Sequence, residues 1–264
     1  MADWEDIRAH QFAVPDGVVA DELLPELVSM LASPDPVLRD EIAMTALATW
    51  IDDGAVSDAR LRPLGDLMVE RFGSDGIQAR TFASLVLDVI IGSRDVCEAG
   101  WVDAFESWYA SETDLRGHDV ELGWLHAVAH GADLLGTLGR RSDVGPGRML
   151  GLGMARMLAP TAEVWHDQEH DRLAHGLAKV LARPDLSVHD ASAWLDRADT
   201  TLSDRPPGPV PVHVSNTLHT LRMLYVLVDR GVRIESTGVL VVPHRDAVLH
   251  RIAGVLHHAT PWMW

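Results

Sequence analysis

An apolar pattern recurs at a spacing of forty residues, and this spacing constrains the fold more than any other feature of the chain. Residues 39–51 align with residues 79–91, and six apolar positions match. The matched pairs are Ile42 with Phe82, Ala43 with Ala83, Ala46 with Val86, Leu47 with Leu87, Trp50 with Ile90, and Ile51 with Ile91. Each stretch follows a more amphipathic helical pattern, and a cluster of turn-forming residues separates the two. Two helices per unit at this period are typical of HEAT-like arrays, whose units bury their apolar faces by stacking.

Composition agrees with an all-α fold. The chain has 264 residues, of which 47% are hydrophobic, and the one run rich in β-branched residues is 239–242. We therefore predict a HEAT-like helical repeat domain over residues 1–205. A Pro-rich linker and a C-terminal helical cap on the same domain are expected over residues 206–264. Helical patterns beyond the two aligned copies cover residues 119–139, 163–182, 188–202, 214–228 and 247–258.

The charge of the chain excludes several classes of partner. The formal net charge is −17, and no dense cluster of Lys and Arg offsets it. Such a surface repels phosphate backbones and anionic lipid surfaces, so neither nucleic acid nor membrane is an expected partner.

No apolar run approaches the roughly 20 residues of a membrane span, and the start has no signal-peptide pattern. Cys97 is the single cysteine, which excludes a disulfide framework. A cytoplasmic protein that binds a small molecule, a protein or a peptide is the expectation.

A third copy of the repeat carries polar rings at apolar positions. His126 replaces Ala46 and Val86, and His130 replaces Trp50 and Ile90. Asp133 follows at i+7 from His126, so one helix face would bring two imidazoles and a carboxylate together. Because buried imidazoles and carboxylates are costly unless paired, their presence predicts a partner or a task.

Three interpretations of this stripe stay open. His126, His130 and Asp133 could hold a divalent metal such as zinc, or an imidazole and a carboxylate could form an acid/base pair. The same residues could instead form a buried hydrogen-bonded pair that only joins neighbouring units. The motif is not that of zinc proteases, because Ala127 stands where HExxH requires its glutamate.

Charged residues flank the stripe on both sides. Arg116 has the fork geometry to hold a carboxylate, and Glu112 or Asp114 could be its local partner. Further along, Glu169 and Arg172 lie at i, i+3 on a predicted helix, where they could pair. In an array, the next helix pair would stack on the 119–139 helix, so Glu169 could reach His126 and His130. The alternative for the Arg116 cluster is a helix terminus held by surface ion pairs, and the alternative for the Glu169 cluster is a solvated charged face.

The quoted residues resemble a bacterial family known as domain of unknown function 2785. The resemblance rests on residues 114–117 (Asp-Leu-Arg-Gly), residues 123–133 (Gly-Trp-Leu-His-Ala-Val-Ala-His-Gly-Ala-Asp) and residues 169–174 (Glu-His-Asp-Arg-Leu-Ala). It covers roughly residues 20–200. The resemblance implies no particular activity. It does imply that one group of residues is shared across the family: Arg116, Trp124, His126, His130, Asp133, Glu169 and Arg172.

The leading hypothesis is a small-molecule site around the 119–139 helix, with hydrolase, lyase or cyclase chemistry driven by proton transfer. The catalytic residues would be His126, His130, Asp133 and Glu169. Substrate would be bound by Arg116, Trp124, Glu112, Asp114 and Arg172. The alternative is a non-enzymatic interaction scaffold in which this polar network is structural.

Overall fold

The computed structural model describes residues 2–205, 208–234 and 238–264. It is predominantly α-helical, which confirms the prediction of an all-α protein. The chain divides into two compact units, Met1–Gly131 and Ala132–Trp264. None of the described helices has both the length and the apolar character that a membrane span requires.

The first unit is built from helix pairs followed by a short hairpin. Its helices are α1 (Trp4–Ala9), α2 (Ala20–Met30), a π-helical segment (Val37–Met44) that runs into α3 (Thr45–Asp52), α4 (Asp58–Arg71), α5 (Ile77–Arg94) and α6 (Ala99–Ser111). The hairpin pairs β1 (His118–Asp119) with β2 (Gly123–Trp124) in antiparallel register. Helix α7 (Ala127–Gly139) begins in this unit, and the division falls inside it.

The forty-residue repeat corresponds to real helix pairs. Helix α2 with the helix over 37–52 forms one pair, and α4 with α5 forms the next. Every residue of the six matched pairs is buried, from Ile42 and Phe82 to Ile51 and Ile91. The common pattern is therefore the apolar face on which each pair packs.

The third copy departs from this pattern, and the helix predicted over 119–139 is wrong in its first two turns. Residues 118–124 form the hairpin, and helix α7 begins at Ala127. Asp119 lies in β1 and accepts hydrogen bonds at Oδ1 from the N–H groups of Glu121 (2.9 Å) and Leu122 (3.0 Å). Gly123 has a φ of +70°. These local bonds and the left-handed glycine are incompatible with a helix over this segment.

The second unit is also helical, and its described residues include a small hairpin. After α7 come α8 (Pro146–Leu158), α9 (Glu169–Leu181), α10 (Val188–Ala193), α11 (Asp196–Ser203), α12 (Val212–Arg230) and α13 (Arg245–Ala259). Strand β3 (Val232–Ile234) pairs with β4 (Gly238–Leu240), which includes part of the β-branched run. The helix predicted over 163–182 begins six residues later than expected, and that over 188–202 is broken between α10 and α11.

Within the second unit, helix α9 lies against both α8 and α12, and α12 also packs on α13. A Cβ on Gly176 would lie 2.3 Å from the carbonyl oxygen of Ala132, so the close approach of α9 requires glycine. The predicted Pro-rich linker falls partly on Pro206 and Pro207, which lie outside the described residues. Pro211, just before α12, has the φ of −61° and ψ of 150° expected of extended proline-rich chain. The predicted domain boundary at 205/206 stays a prediction.

Candidate functional site

The hairpin is held in shape by Arg116. Its Nε and Nη2 atoms donate to the two carboxylate oxygens of Asp114 (2.8 and 2.7 Å), and Nη1 donates to Asp119 (2.7 Å). The hydrogen bond from Arg116 is the main reason why the pKa of Asp114 lies below its usual value. Hydrogen bonds from the backbone of Glu121 and Leu122, with Arg116, lower the pKa of Asp119. Arg116 therefore fixes both ends of the turn, and a substrate anion would compete with two carboxylates for its donors.

A second arginine, Arg39, ties the hairpin to the helix that begins at residue 37. Its side chain is fully buried. Nη2 donates to the carbonyl oxygens of Leu122 (2.8 Å) and Trp124 (3.1 Å), and Nη1 donates to Ser33 (3.1 Å). The guanidinium carbon also lies 5.0 Å from the centre of the Phe82 ring. Arg39 thus joins a turn close to it in the sequence to a residue 85 positions away.

Glycine is required at the point where these two segments meet. A Cβ on Gly123 would lie 2.8 Å from Cβ of Pro36 and 3.3 Å from Nη2 of Arg39. Its positive φ is the left-handed conformation that glycine tolerates best. Strand β2 therefore sits directly against the start of the 37–52 helix.

His126 stands between the hairpin and helix α7 in a left-handed conformation, with φ at +44°. Its N–H donates to the carbonyl oxygen of Gly117 (3.2 Å), and its own carbonyl oxygen accepts from the N–H of His130 (2.8 Å). A left-handed backbone is costly for a residue other than glycine, and such strain clusters at functional sites. The i, i+4 spacing predicted from the sequence thus joins a pre-helical residue to the first turn of α7.

Aromatic rings surround the two imidazoles. The His126 ring centre lies 4.5 Å from that of Trp124 and 5.7 Å from that of His130. His130 in turn makes an edge contact with Phe82 at 5.1 Å, and Trp124 makes one with His118 at 4.7 Å. We call His126 and His130 the imidazole pair. His130 is 7% exposed, whereas the indole of Trp124 is 44% exposed. The pair therefore runs from the interior toward a large exposed aromatic surface.

Glu112 has partners that give it a structural role. Its carboxylate accepts from Nε of Arg80 (2.6 Å) and Nε1 of Trp108 (2.9 Å), and from the backbone N–H groups of Thr113 and Asp114 (2.9 Å each). Burial alone would raise the pKa of Glu112, but these hydrogen bonds outweigh it and hold that pKa below its usual value. The sequence predicted Arg116 as the local partner of Glu112, and the structure pairs Glu112 with Arg80.

The remaining predicted site residues lie in the second unit. Arg172 forms an ion pair with Asp133 there, and its Nε donates to Asp133 Oδ1 at 3.1 Å. Glu169 is 1% exposed, accepts from the N–H of Asp167 (2.9 Å), and has its pKa raised by burial. Arg172 thus pairs with Asp133, and the predicted Glu169–Arg172 contact along the helix stays a prediction. A metal held by His126, His130 and Asp133 stays a prediction.

Chemically, the imidazole pair offers two ring side chains beside an aromatic platform. Each imidazole can accept or donate a proton, and each can serve as a neutral nitrogen ligand to a metal. The sequence identified the two histidines and Trp124 but missed Phe82 and His118 as their neighbours. His118 lies in strand β1, immediately before the segment that was predicted to be helical.

Comparison with known proteins gives one match. No curated protein and no solved structure matches the chain. The model of a family described as "Protein of unknown function (DUF2785)" matches residues 68–226, which include the hairpin, the imidazole pair and Arg172. The match spans more than half of the chain and confirms the resemblance found in the sequence. The chain therefore belongs to the family of proteins of unknown function DUF2785.

Proposed function

We propose that the chain binds a small organic molecule at the imidazole pair in its first unit. The observation that carries the proposal is the left-handed backbone of His126, which presents its ring between those of Trp124 and His130. The surroundings hold this strained conformation through Gly117 and His130. Strain kept at a pair of titratable rings is a feature of binding and catalytic sites.

In this proposal, each residue has a defined task. The exposed indole of Trp124 provides a flat surface on which an apolar or aromatic part of the ligand stacks. His126, only partly buried, contacts the ligand, and the more buried His130 supports it from behind. Arg39 and Arg116 act on the ligand indirectly, since they fix the hairpin that carries Trp124.

The chemistry that two neighbouring imidazoles support best is proton transfer. One ring removes a proton from the bound molecule or from water while the other returns one to the leaving group. Reactions of the hydrolase, lyase or cyclase type require no more than this. Asp133, Glu169 and Arg172 stay proposed members of the shared group of residues, as the sequence predicted.

A divalent metal bound through His126 and His130 is a second form of the same proposal. Neutral imidazole nitrogens are common zinc ligands. The test is metal analysis of protein purified without a histidine tag. Bound zinc that is lost in both H126Q and H130Q supports this form; less than about 0.1 equivalent, with none taken up on addition, ends it.

The rival proposal is an interaction scaffold. The equivalent burial of the two helix pairs supports a HEAT-like stack, and such stacks offer concave binding surfaces. A net charge of −17 would suit a basic peptide or protein. In that case, the polar network around the hairpin would serve stability alone.

Equilibrium dialysis against the small-molecule fraction of a bacterial cell extract tests the leading proposal. The protein is then denatured, and retained compounds are identified by mass spectrometry. We expect the wild type to retain a compound that H126Q and H130Q lose. His189→Gln is the matched control, because His189 is exposed on α10 of the other unit. Equal retention by all four proteins would overturn the proposal.

Thermal denaturation of the same variants separates the two functions. If the imidazole pair is a binding site, H126Q and H130Q lose ligand while their melting temperatures stay within a few degrees of the wild type. If the network is only structural, the melting temperature falls and no retained compound distinguishes the variants from the wild type.

A further inference from the structure

The second unit contains an open pocket of about 440 Å³ that lies outside the candidate site. Its lining residues come from the segment before α9, from the start of α9 and from α12. They are Val164, Trp165, His166, His170, Asp171, His219, Arg222, Met223 and Val226. This volume falls within the usual range for small-molecule pockets.

One face of α12 forms the floor of the pocket and is divided by polarity. His219, Arg222, Met223 and Val226 are spaced three, one and three residues apart, so they share a helix face. Arg222 is cationic and His219 is titratable, whereas Met223 and Val226 are apolar. Val226 is 50% exposed, and Val164, which also lines the pocket, is 40% exposed. The pocket thus has a basic end and an apolar end.

At the basic end of the pocket, two imidazoles lie close together in a lining that also contains Arg222. The rings of His170 and His219 lie 5.4 Å apart between centres, although their residues belong to different helices. Burial, then His170 and Arg222, hold the pKa of His219 below its usual value, and Asp171 opposes them. Asp171 lies 3.3 Å from Nε2 of His170 and is the one acidic residue among the described residues of the lining. An anion placed here would meet one guanidinium and two imidazoles.

Two buried nitrogen atoms of the lining have no hydrogen-bond partner within the described part of the chain. They are Nε1 of Trp165, a residue only 3% exposed, and Nδ1 of His170. A buried indole N–H without an acceptor costs about 1–3 kcal/mol. The wall of the pocket therefore contains polar atoms that the described part of the chain does not satisfy.

We propose that this pocket binds a small organic anion. The carboxylate or phosphate group lies against Arg222, His170 and His219, and the apolar body lies along Met223 and Val226. The guanidinium fork suits the oxygens of either head group. The proposal is independent of the imidazole pair, since it uses no residue of that pair.

Nuclear magnetic resonance of the full chain tests the proposal with defined probes. The anions 4-phenylbutyrate and phenyl phosphate are titrated, with 4-phenylbutan-1-ol as the neutral comparison. The indole N–H signal of Trp165, assigned with Trp165→Phe, is the reporter. We expect at least one anion to shift this signal with a Kd below about 10 mM, and the alcohol to bind at least about fivefold more weakly.

Variants locate the binding group. Arg222→Gln should weaken anion binding by at least about fivefold, because it removes the permanent charge. Arg233→Gln is the control: Arg233 is exposed in β3 of the same unit and should bind as the wild type does. Binding of neither anion below about 10 mM, equal binding of the alcohol, or unchanged binding in R222Q would each overturn the proposal. H126Q should leave this binding intact, so failure here is distinguishable from failure at the imidazole pair.

Discussion

The guanidinium of Arg39 lies 3.1 Å from the carbonyl oxygen of Trp124, 85 residues further along the chain. The same buried side chain also bonds the turn at Ser33 and the neighbouring Asp40. One residue therefore links the start of a repeat helix to the hairpin that carries the exposed indole. The core of the first unit therefore holds the hairpin in place, and the hairpin is not a loose surface loop.

Replacement of Arg39 by lysine should destabilise the protein although the charge is kept. One ammonium nitrogen cannot replace the three guanidinium nitrogens that reach Ser33, Asp40 and the hairpin carbonyl oxygens, so buried acceptors lose their donors. We expect a loss of about 2–4 kcal/mol in the free energy of unfolding, measured by urea denaturation. Arg60→Lys, at an exposed arginine of α4, is the control and should change stability by less than about 0.5 kcal/mol. An R39K protein as stable as the wild type would contradict this account.

The left-handed backbone at His126 predicts an inverted order of glycine and alanine. His126→Gly should be more stable than His126→Ala by about 1 kcal/mol, since only glycine adopts a positive φ without strain. At exposed Ser107, inside helix α6, the order should be the usual one, with alanine better by about 1 kcal/mol. Thermal and urea unfolding of the four variants measures both differences. If alanine were also better at position 126, the residue would be an ordinary helical one.

Glu112→Gln should destabilise the first unit in a pH-dependent manner. The folded pKa of Glu112 lies below the unfolded value, so its carboxylate stabilises the fold above the unfolded pKa. That contribution is lost as the pH falls through the folded pKa. Near neutral pH the variant also leaves Arg80 without its counter-charge in a mostly buried pair, at a cost of about 3 kcal/mol.

Unfolding free energies at several pH values check this prediction. The difference between E112Q and the wild type should be largest near neutral pH and should shrink below the ordinary glutamate pKa. The control is Glu98→Gln, whose pair with Arg62 is exposed and should matter by less than about 1 kcal/mol. A difference that is constant with pH would argue against a stabilised carboxylate.

Gly131→Ala should disturb the packing beside the imidazole pair. A Cβ at this position would lie 2.2 Å from Cε2 of Tyr109, whose hydroxyl donates to the carbonyl oxygen of Val128 (2.8 Å). Overpacking of this kind costs about 1–3 kcal/mol. Gly151→Ala in helix α8 is the matched control, because its Cβ would meet no atom of the described residues within 4 Å. The control should gain about 0.5–1 kcal/mol, and a gain of the same size at position 131 would rule out the contact.

The helix pairs could be predicted from the sequence because their signal is local and repeated. Ile42 and Phe82 occupy equivalent buried positions, and a period of 3.6 residues identifies such faces without knowledge of their neighbours. The hairpin could not be predicted in the same way. Its shape depends on the turn bonds of Asp119 and on Arg39, which lies more than eighty residues earlier in the chain.

The proximity of His126 and His130 was predicted from the sequence, but the structure gives a different reason for it. His126 and His130 do lie side by side, yet the helix assumed to align them begins only after His126. The pocket of the second unit was missed because His170 and His219 come from two helices with no common spacing. Contacts of this kind depend on how helices pack, which a single sequence does not encode locally.

The location of a bound molecule at the imidazole pair can be measured directly through histidine ring nitrogens. Protein labelled with ¹⁵N-histidine is titrated with the compound retained in dialysis, and ring signals are assigned with single His→Gln variants. The account predicts that the signals of His126 and His130 shift first and saturate together, while those of His170 and His219 stay unchanged. Binding that shifts other histidines and leaves His126 and His130 unaffected would contradict it.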